Sequence, residues 1–321
     1  MRGIIIEEFG GPDRLRYRED LPEPAPGPGD VLVDVEAVGV NFTDVYQREG
    51  IYPRPLPFTP GSEGCGRVVA APDSGPVSVG DRVAWCTAPD SYAEQVAVPA
   101  DACVPVPDDV PADVAASILL QGLTAHFLVN DVGALGEGDT VLLTAGAGGV
   151  GLLLTQLAKA AGANVATLVS SDAKERLSVG AGADLVLRYD DDVPAAIADW
   201  TGGSGVDVVY DGVGKATFGT SLECARVRGL VALFGAASGA VPPMDPQELN
   251  KHGSLFLTRP HLRHFTRDRE ELLMRADDVL ARVADGTLHI RVGSRYPLAD
   301  ARRAHEDLQA RKTSGGVVLL P

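Results

Sequence analysis

Val141-Leu142-Leu143-Thr144-Ala145-Gly146-Ala147-Gly148-Gly149-Val150-Gly151 lies near the middle of the chain and decides its fold. A short apolar run of strand character enters a glycine-dense turn, and a helical pattern from Leu152 to Ala160 leaves it. Gly146, Gly148 and Gly151 satisfy the G-x-G-x-x-G spacing. The first glycine permits the turn, the second lets a pyrophosphate approach bare backbone, and the third lets helix and strand pack closely. The helix start then offers unpaired N–H groups and a positive dipole end to phosphates. Spacing alone is a weak signal, because a glycine-rich turn also serves tight packing. With a strand before it and a helix after it, the segment is read as a dinucleotide-binding turn.

Outward from this turn, strand and helix alternate: Asn164–Val169, Lys174–Ala181, Leu185–Arg188, Val193–Trp200, Val206–Asp211, Phe218–Cys224 and Leu230–Phe234. Such alternation predicts an α/β domain, a doubly wound parallel sheet covered by helices on both faces. As the last β-rich run of this middle region, Leu230–Phe234 is expected at the sheet edge, where pairing with a second copy would give a homodimer. Before about Pro107 the texture is all-β, with short β-rich runs separated by turn clusters such as Pro22 to Gly29. After His261 come an amphipathic helix (Arg269–Asp285), a strand (Arg291–Tyr296), a helix (Leu298–Gln309) and a last strand (Gly316–Leu320). The N-terminal β domain is the natural host for this tail. The expected division is 1–121 completed by 262–321, with 122–261 between them.

The 321 residues suffice for two domains with a core each. No run approaches the length of a membrane span, and Met1 to Gly10 reads as a short strand rather than a signal peptide. Four scattered cysteines, Cys65, Cys86, Cys103 and Cys224, contain no C-x-x-C pair; this fits a reducing cytoplasm better than a disulfide framework or a structural zinc. A net charge of −16 disfavours nucleic acid and anionic membranes as partners.

The end of the second strand selects between dinucleotides: a carboxylate there binds a ribose 2′-hydroxyl and repels a 2′-phosphate. Here Asn164–Val169 runs into Ser170-Ser171-Asp172-Ala173-Lys174. Two hydroxyls and a lysine suit a phosphate, which favours NADPH. Asp172 is compatible with this if it caps the next helix; alternatively Ser170 or Ser171 is the cap.

These residues, together with Gly39 to Tyr46, Pro60 to Gly66, Gly80 to Val83, Gln121 to His126, Val209 to Gly214, Leu257 to Pro260 and Ala301 to Glu306, resemble the zinc-independent quinone oxidoreductase branch of the medium-chain dehydrogenase/reductase superfamily. The resemblance implies a Rossmann domain beside a GroES-like β domain, usually in a homodimer. It implies that Asn41, Tyr46 and Thr124 surround the nicotinamide, and that Gly149 and Val150 touch the pyrophosphate. Ser170, Ser171, Lys174, Tyr189 and Arg311 are implied at the adenosine-phosphate end. Phe234, Gly235, Ser238, Leu257 and Arg259 are implied along the cofactor or at the site mouth, and Phe42, Gly212 and Thr258 are implied as further cofactor contacts.

Zinc-dependent relatives carry Cys where this chain has Asn41, His where it has Ser62, and Cys or Glu near Gln121. Amide and hydroxyl oxygens do not replace the thiolate, imidazole and carboxylate donors that zinc requires, so no metal is expected. Without one, hydride acceptors must already be electron-poor: a quinone, or an alkene conjugated to a carbonyl as in an enal, enone or enoyl thioester. Asn41 and Tyr46 are the expected catalytic residues, donating hydrogen bonds to the acceptor oxygen; Tyr46 is read either as proton donor or as pocket wall. The role of Gln121 is open at this stage. A non-enzymatic nucleotide-binding protein is the alternative from a different class.

Overall fold

Asp30–Val40, the longest strand, shows why the N-terminal region folds as a sheet. Val31, Val33 and Val35 are buried in strict alternation, and the strand is then buried without a break over Ala37-Val38-Gly39-Val40. This strand lies inside a seven-stranded sheet in the order Val292–Pro297, Gly316–Leu320, Asp30–Val40, Glu63–Ala70, Arg82–Trp85, Val104–Pro105, with Gln95–Pro99 also paired to Asp30–Val40. The C-terminal tail completes it: Gly316–Leu320 runs antiparallel to Asp30–Val40, with Val317 opposite Val40 and Leu319 opposite Val38. Leu298, Ala301 and Ala304 of the tail join Val31, Val33, Trp85 and Tyr92 in one core.

In the computed structural model, which describes Met1–Pro321, the chain forms two units: Met1–Leu123 with Thr266–Pro321, and Thr124–Phe265. The second unit holds six parallel strands in the order Leu185–Arg188, Asn164–Val169, Thr140–Leu143, Val206–Asp211, Ala225–Leu233, Phe256–Thr258. Numbered along the chain this is 3-2-1-4-5-6, the doubly wound dinucleotide-binding order. Strand order reverses between Thr140–Leu143 and Val206–Asp211, so the loops leaving those two strands are where such a sheet binds its ligand.

One expectation is corrected. Leu230–Phe234 is not the sheet edge, because Phe256–Thr258 pairs beside it, Leu230 opposite Phe256 and Ala232 opposite Thr258. Three residues are too few for a period-2 pattern to stand out, which hid this strand in the sequence. No helix is long and apolar enough to cross a membrane.

Candidate functional site

The glycine turn joins Thr140–Leu143 to the helix Gly149–Ala160. A side chain at Gly146 would meet Thr167 Cβ at 2.5 Å, and one at Gly151 would meet the Ala145 carbonyl oxygen at 2.3 Å. Neither position accepts even a methyl group. The left-handed residue of the turn is Ala145, with φ of 54°, rather than a glycine. Its N–H donates to the Tyr189 hydroxyl at 2.8 Å, so Tyr189 braces the turn. Gly148 is the helix N-cap and supplies no side-chain cap, which leaves the first-turn amides of Gly149, Val150 and Gly151 without intrahelical acceptors.

The loop after Val206–Asp211 is organised by Asp211, which is fully buried. Its carboxylate accepts from the Val213 and Gly214 amides at 2.9 and 3.0 Å and from the Thr144, Thr217 and Ser221 hydroxyls. Sequence reasoning missed this role, although Asp at a strand end before Gly-x-Gly is a signal for it. Around this loop the structure gathers Gly212, Phe234, Gly235, Ser238 and Arg259. A side chain at Gly212 would strike the Phe234 ring at 2.7 Å; Ser238 Oγ donates to the Val213 carbonyl, and Arg259 Nη1 donates to the Phe234 carbonyl, both at 2.8 Å. Leu257 and Thr258 lie instead in the edge strand.

At the tip of Asn164–Val169, Ser171 caps the helix Asp172–Gly180, its hydroxyl accepting from the Lys174 amide at 3.4 Å. Of the three caps open to the sequence, Ser170, Ser171 and Asp172, the structure takes Ser171. Asp172 accepts from Arg188 Nη2 at 2.7 Å. Ser170 is exposed and Lys174 half-buried on the same tip. Thr124 is buried in the helix Leu119–Phe127. Arg311 belongs to the first unit, exposed and with φ of 58°.

In the first unit, Asn41 caps the short helix Phe42–Arg48. Its Nδ2 donates to Glu63 Oε2 at 2.7 Å, and its Oδ1 accepts from Gln121 Nε2 at 3.1 Å. Glu63 Oε1 accepts from the Leu120 amide at 2.8 Å. Gln121, whose role the sequence left open, therefore holds the Asn41 amide together with Glu63. Glu63 is wholly buried, and loss of solvent pushes its carboxyl up to about 8. Gly39 is required here, since a side chain on it would sit 2.4 Å from Glu63 Oε2.

Behind this trio a second buried chain of hydrogen bonds runs from helix to tail. Arg48 Nη1 donates to His305 Nδ1 at 3.2 Å, His305 Nε2 donates to the Tyr92 hydroxyl at 3.0 Å, and that hydroxyl donates to Asp44 Oδ2 at 3.0 Å. Asp44 Oδ2 also accepts from the main-chain amide of Asn41 at 2.8 Å. The directions follow from charge. Burial and the neighbouring guanidinium lower His305 to about 3, so the imidazole is neutral and accepts from arginine. Burial pushes Asp44 up to about 7.

Tyr46 is buried, its ring 6.2 Å from Phe42 and 5.3 Å from Tyr52, the latter edge-on. Tyr52 was missed in the sequence; only its spacing six residues after Tyr46 hinted at it. Ser62 Oγ, at the position where zinc-dependent relatives carry His, is buried with no hydrogen-bond partner.

Residues 149–274 match a family described as zinc-binding dehydrogenase, and residues 27–108 match the alcohol dehydrogenase GroES-like domain. A quinone oxidoreductase of Pseudomonas aeruginosa is 41% identical over 99% of both chains. A 2-haloacrylate reductase of Burkholderia is 37% identical over 99% of this chain and 98% of the relative. The mycobacterial protein Rv1454c, solved in complex with NADPH, is 53% identical and matches with a TM-score of 0.97 over the whole of both chains. The chain belongs to the quinone oxidoreductase family.

The zinc in the description of the matched family calls for a test of the donor set in this quinone oxidoreductase family member. Asn41 and Gln121 spend their amides on each other and on Glu63, and the third position carries the Ser62 hydroxyl. This set does not fit zinc. A dinucleotide does fit the other unit: the helix Gly149–Ala160 starts at Gly148 with no side-chain cap, which leaves its first-turn amides open to a pyrophosphate.

Proposed function

We propose that this protein is an NADPH-dependent reductase that delivers hydride to a quinone without a metal ion. When bound, the reduced nicotinamide supplies the hydride. The turn amides of Gly149, Val150 and Gly151 bind the pyrophosphate, while Ser170, Ser171 and Lys174 address the 2′-phosphate. Asn41, fixed by Glu63 and Gln121, and Tyr46 donate hydrogen bonds to the acceptor oxygen as charge builds on it. The unpartnered Ser62 hydroxyl is a third donor of the right chemistry. The Phe42, Tyr46 and Tyr52 rings give a planar acceptor an aromatic wall.

The observation that carries this reading is the Asn41 amide held from both sides at a position where zinc-dependent relatives place a metal ligand. Electron-poor acceptors need only such neutral donors. Steady-state turnover of a naphthoquinone with NADPH, unchanged by a chelator, is the expected result; turnover lost on chelation sinks the metal-free mechanism. The second reading, reduction of an activated C=C bond, is favoured by similarity to 2-haloacrylate reductase. Turnover of an alkenal or 2-haloacrylate but of no quinone would make it the first.

The edge strand Phe256–Thr258 supports a homodimer formed by edge pairing, with Phe256 63% exposed. Four unpaired, buried cysteines support a cytoplasmic setting.

A further inference from the structure

The tip that is proposed to take the 2′-phosphate is unfavourably charged. Asp172 and Glu175 flank Lys174 on the first turn of their helix, and Asp190, Asp191 and Asp192 follow the neighbouring strand. Arg188 ends that neighbouring strand and lies opposite Val169 in the parallel register, which brings its guanidinium to the same tip. Its Nη2 donates to Asp172 Oδ1 at 2.7 Å and to Glu175 Oε2 at 2.5 Å. Its Nη1 is buried without a hydrogen-bond partner.

We propose that Arg188 is a positioning residue that sets the preference for NADPH over NADH by engaging Asp172 and Glu175. Two consequences follow from one contact. The Asp172 carboxylate, the first carboxylate past the end of the strand Asn164–Val169, is drawn to the guanidinium and loses the ribose-binding role that would favour NADH. The guanidinium compensates one of the two negative charges, so a dianionic 2′-phosphate is repelled less from Lys174, Ser170 and Ser171. The inference rests on the NADPH reading above and adds a residue to it that acts without touching the cofactor.

The test is equilibrium titration of the full chain with NADPH and with NADH in about 50 mM salt, followed by nucleotide fluorescence, and it needs no turnover. Wild type should favour NADPH. A dianion repelled across about 8 Å of water by one uncompensated carboxylate loses roughly fivefold in affinity. Arg188→Ala leaves one more carboxylate uncompensated and should therefore cut the NADPH preference by about fivefold, mainly through weaker NADPH binding. Adding Asp172→Asn and Glu175→Gln to that variant removes both carboxylates and should return the preference to the wild-type value or above. High salt should shrink the defect, since the screening length falls to about 3 Å at 1 M. In a background with Arg188 intact, Asp172→Asn with Glu175→Gln should leave the preference at or above the wild-type value. These last two substitutions are at exposed or half-exposed side chains; should Arg188→Ala fail to fold, Arg188→Gln, which keeps most of the side chain and removes its charge, should show the same loss and the same rescue.

An unchanged preference in Arg188→Ala overturns the proposal while leaving the NADPH reading intact. So does a defect that the two added substitutions fail to rescue, because Arg188 would then act directly or through the fold. A wild-type protein that favours NADH overturns both.

Discussion

Replacing Glu63 by Gln tests the electrostatics of the buried trio without removing a side chain. Burial raises the Glu63 carboxyl from 4.5 to about 8, whereas in the unfolded chain it titrates at its ordinary value. Below about pH 4.5 both states hold the proton and the group makes no difference. Between about pH 4.5 and 8 the unfolded chain releases a proton that the folded chain keeps, so stability falls by about 1.4 kcal/mol per pH unit. Fully expressed, the loss is about 5 kcal/mol by pH 8 and does not grow beyond it. Gln cannot titrate and escapes the loss. It also keeps the hydrogen bonds of a protonated Glu63: its Oε1 accepts from the Leu120 amide and its Nε2 donates to Asn41 Oδ1, once the Asn41 and Gln121 amides turn over.

The E63Q protein is therefore expected within about 1 kcal/mol of wild type at pH 5 and more stable by several kcal/mol at pH 8. Asp44, raised to about 7 by the same burial, pulls both proteins in the same direction and largely cancels in the difference. The assay is urea unfolding at pH 5, 6, 7 and 8 in a Trp200→Phe background. Trp85, one of two tryptophans in the chain, then reports the first unit alone; it is fully buried and donates to Ser91 at 2.9 Å. A stability difference constant to about 0.5 kcal/mol across that range refutes the reasoning, since Glu63 would then be ionised throughout.

Tyr46→Phe should lower kcat for a quinone by about tenfold or more if the hydroxyl donates to the developing oxyanion, as loss of such a donor typically does; a kcat within about twofold of wild type makes Tyr46 a wall. Lys174→Ala should reduce NADPH affinity with little change for NADH, measured by the same titration, and equal losses for both would remove Lys174 from the phosphate site. Phe256→Glu should shift the protein toward monomer in sedimentation velocity at micromolar concentration, because it puts a charge on the exposed edge strand. An unaltered dimer would place the interface elsewhere.

The sequence was most legible where backbone imposes a local pattern. Gly146 and Gly151 stand where any side chain collides, so their spacing announced the turn, and the β/α alternation announced the parallel sheet. Buried side-chain partners left no such trace. Glu63 is 22 residues from Asn41, and Gln121 is 80 residues from it, so no window along the chain holds all three. The Tyr189 brace on Ala145 likewise spans 44 residues. Phe256–Thr258 was hidden for another reason: three residues carry too little periodicity to mark a strand. Helix capping at Ser170, Ser171 or Asp172 was undecided because all three side chains are good caps; the Arg188 contact, 16 residues from Asp172, claims the aspartate.

On the proposed role of Asn41 as a donor to the acceptor oxygen, the pH at which Glu63 ionises should also bear on turnover, through the amide it holds. With Glu63 ionised, Asn41 Nδ2 faces the carboxylate and Oδ1 faces Gln121. With Glu63 protonated, its hydroxyl donates to Asn41 Oδ1, and the two amides reverse to keep every donor matched to an acceptor. Hydride transfer places negative charge on the acceptor oxygen, and a buried carboxylate one amide away opposes that charge far more than a neutral acid does. The protonated state is therefore the faster one, and kcat should fall as pH rises through about 8. In E63Q the fall should vanish, leaving the variant the better enzyme at about pH 9, one unit above the Glu63 transition. Overlapping pH profiles for the two proteins would show that charge at position 63 does not reach the reacting oxygen, and Asn41 would lose its place as a donor to it.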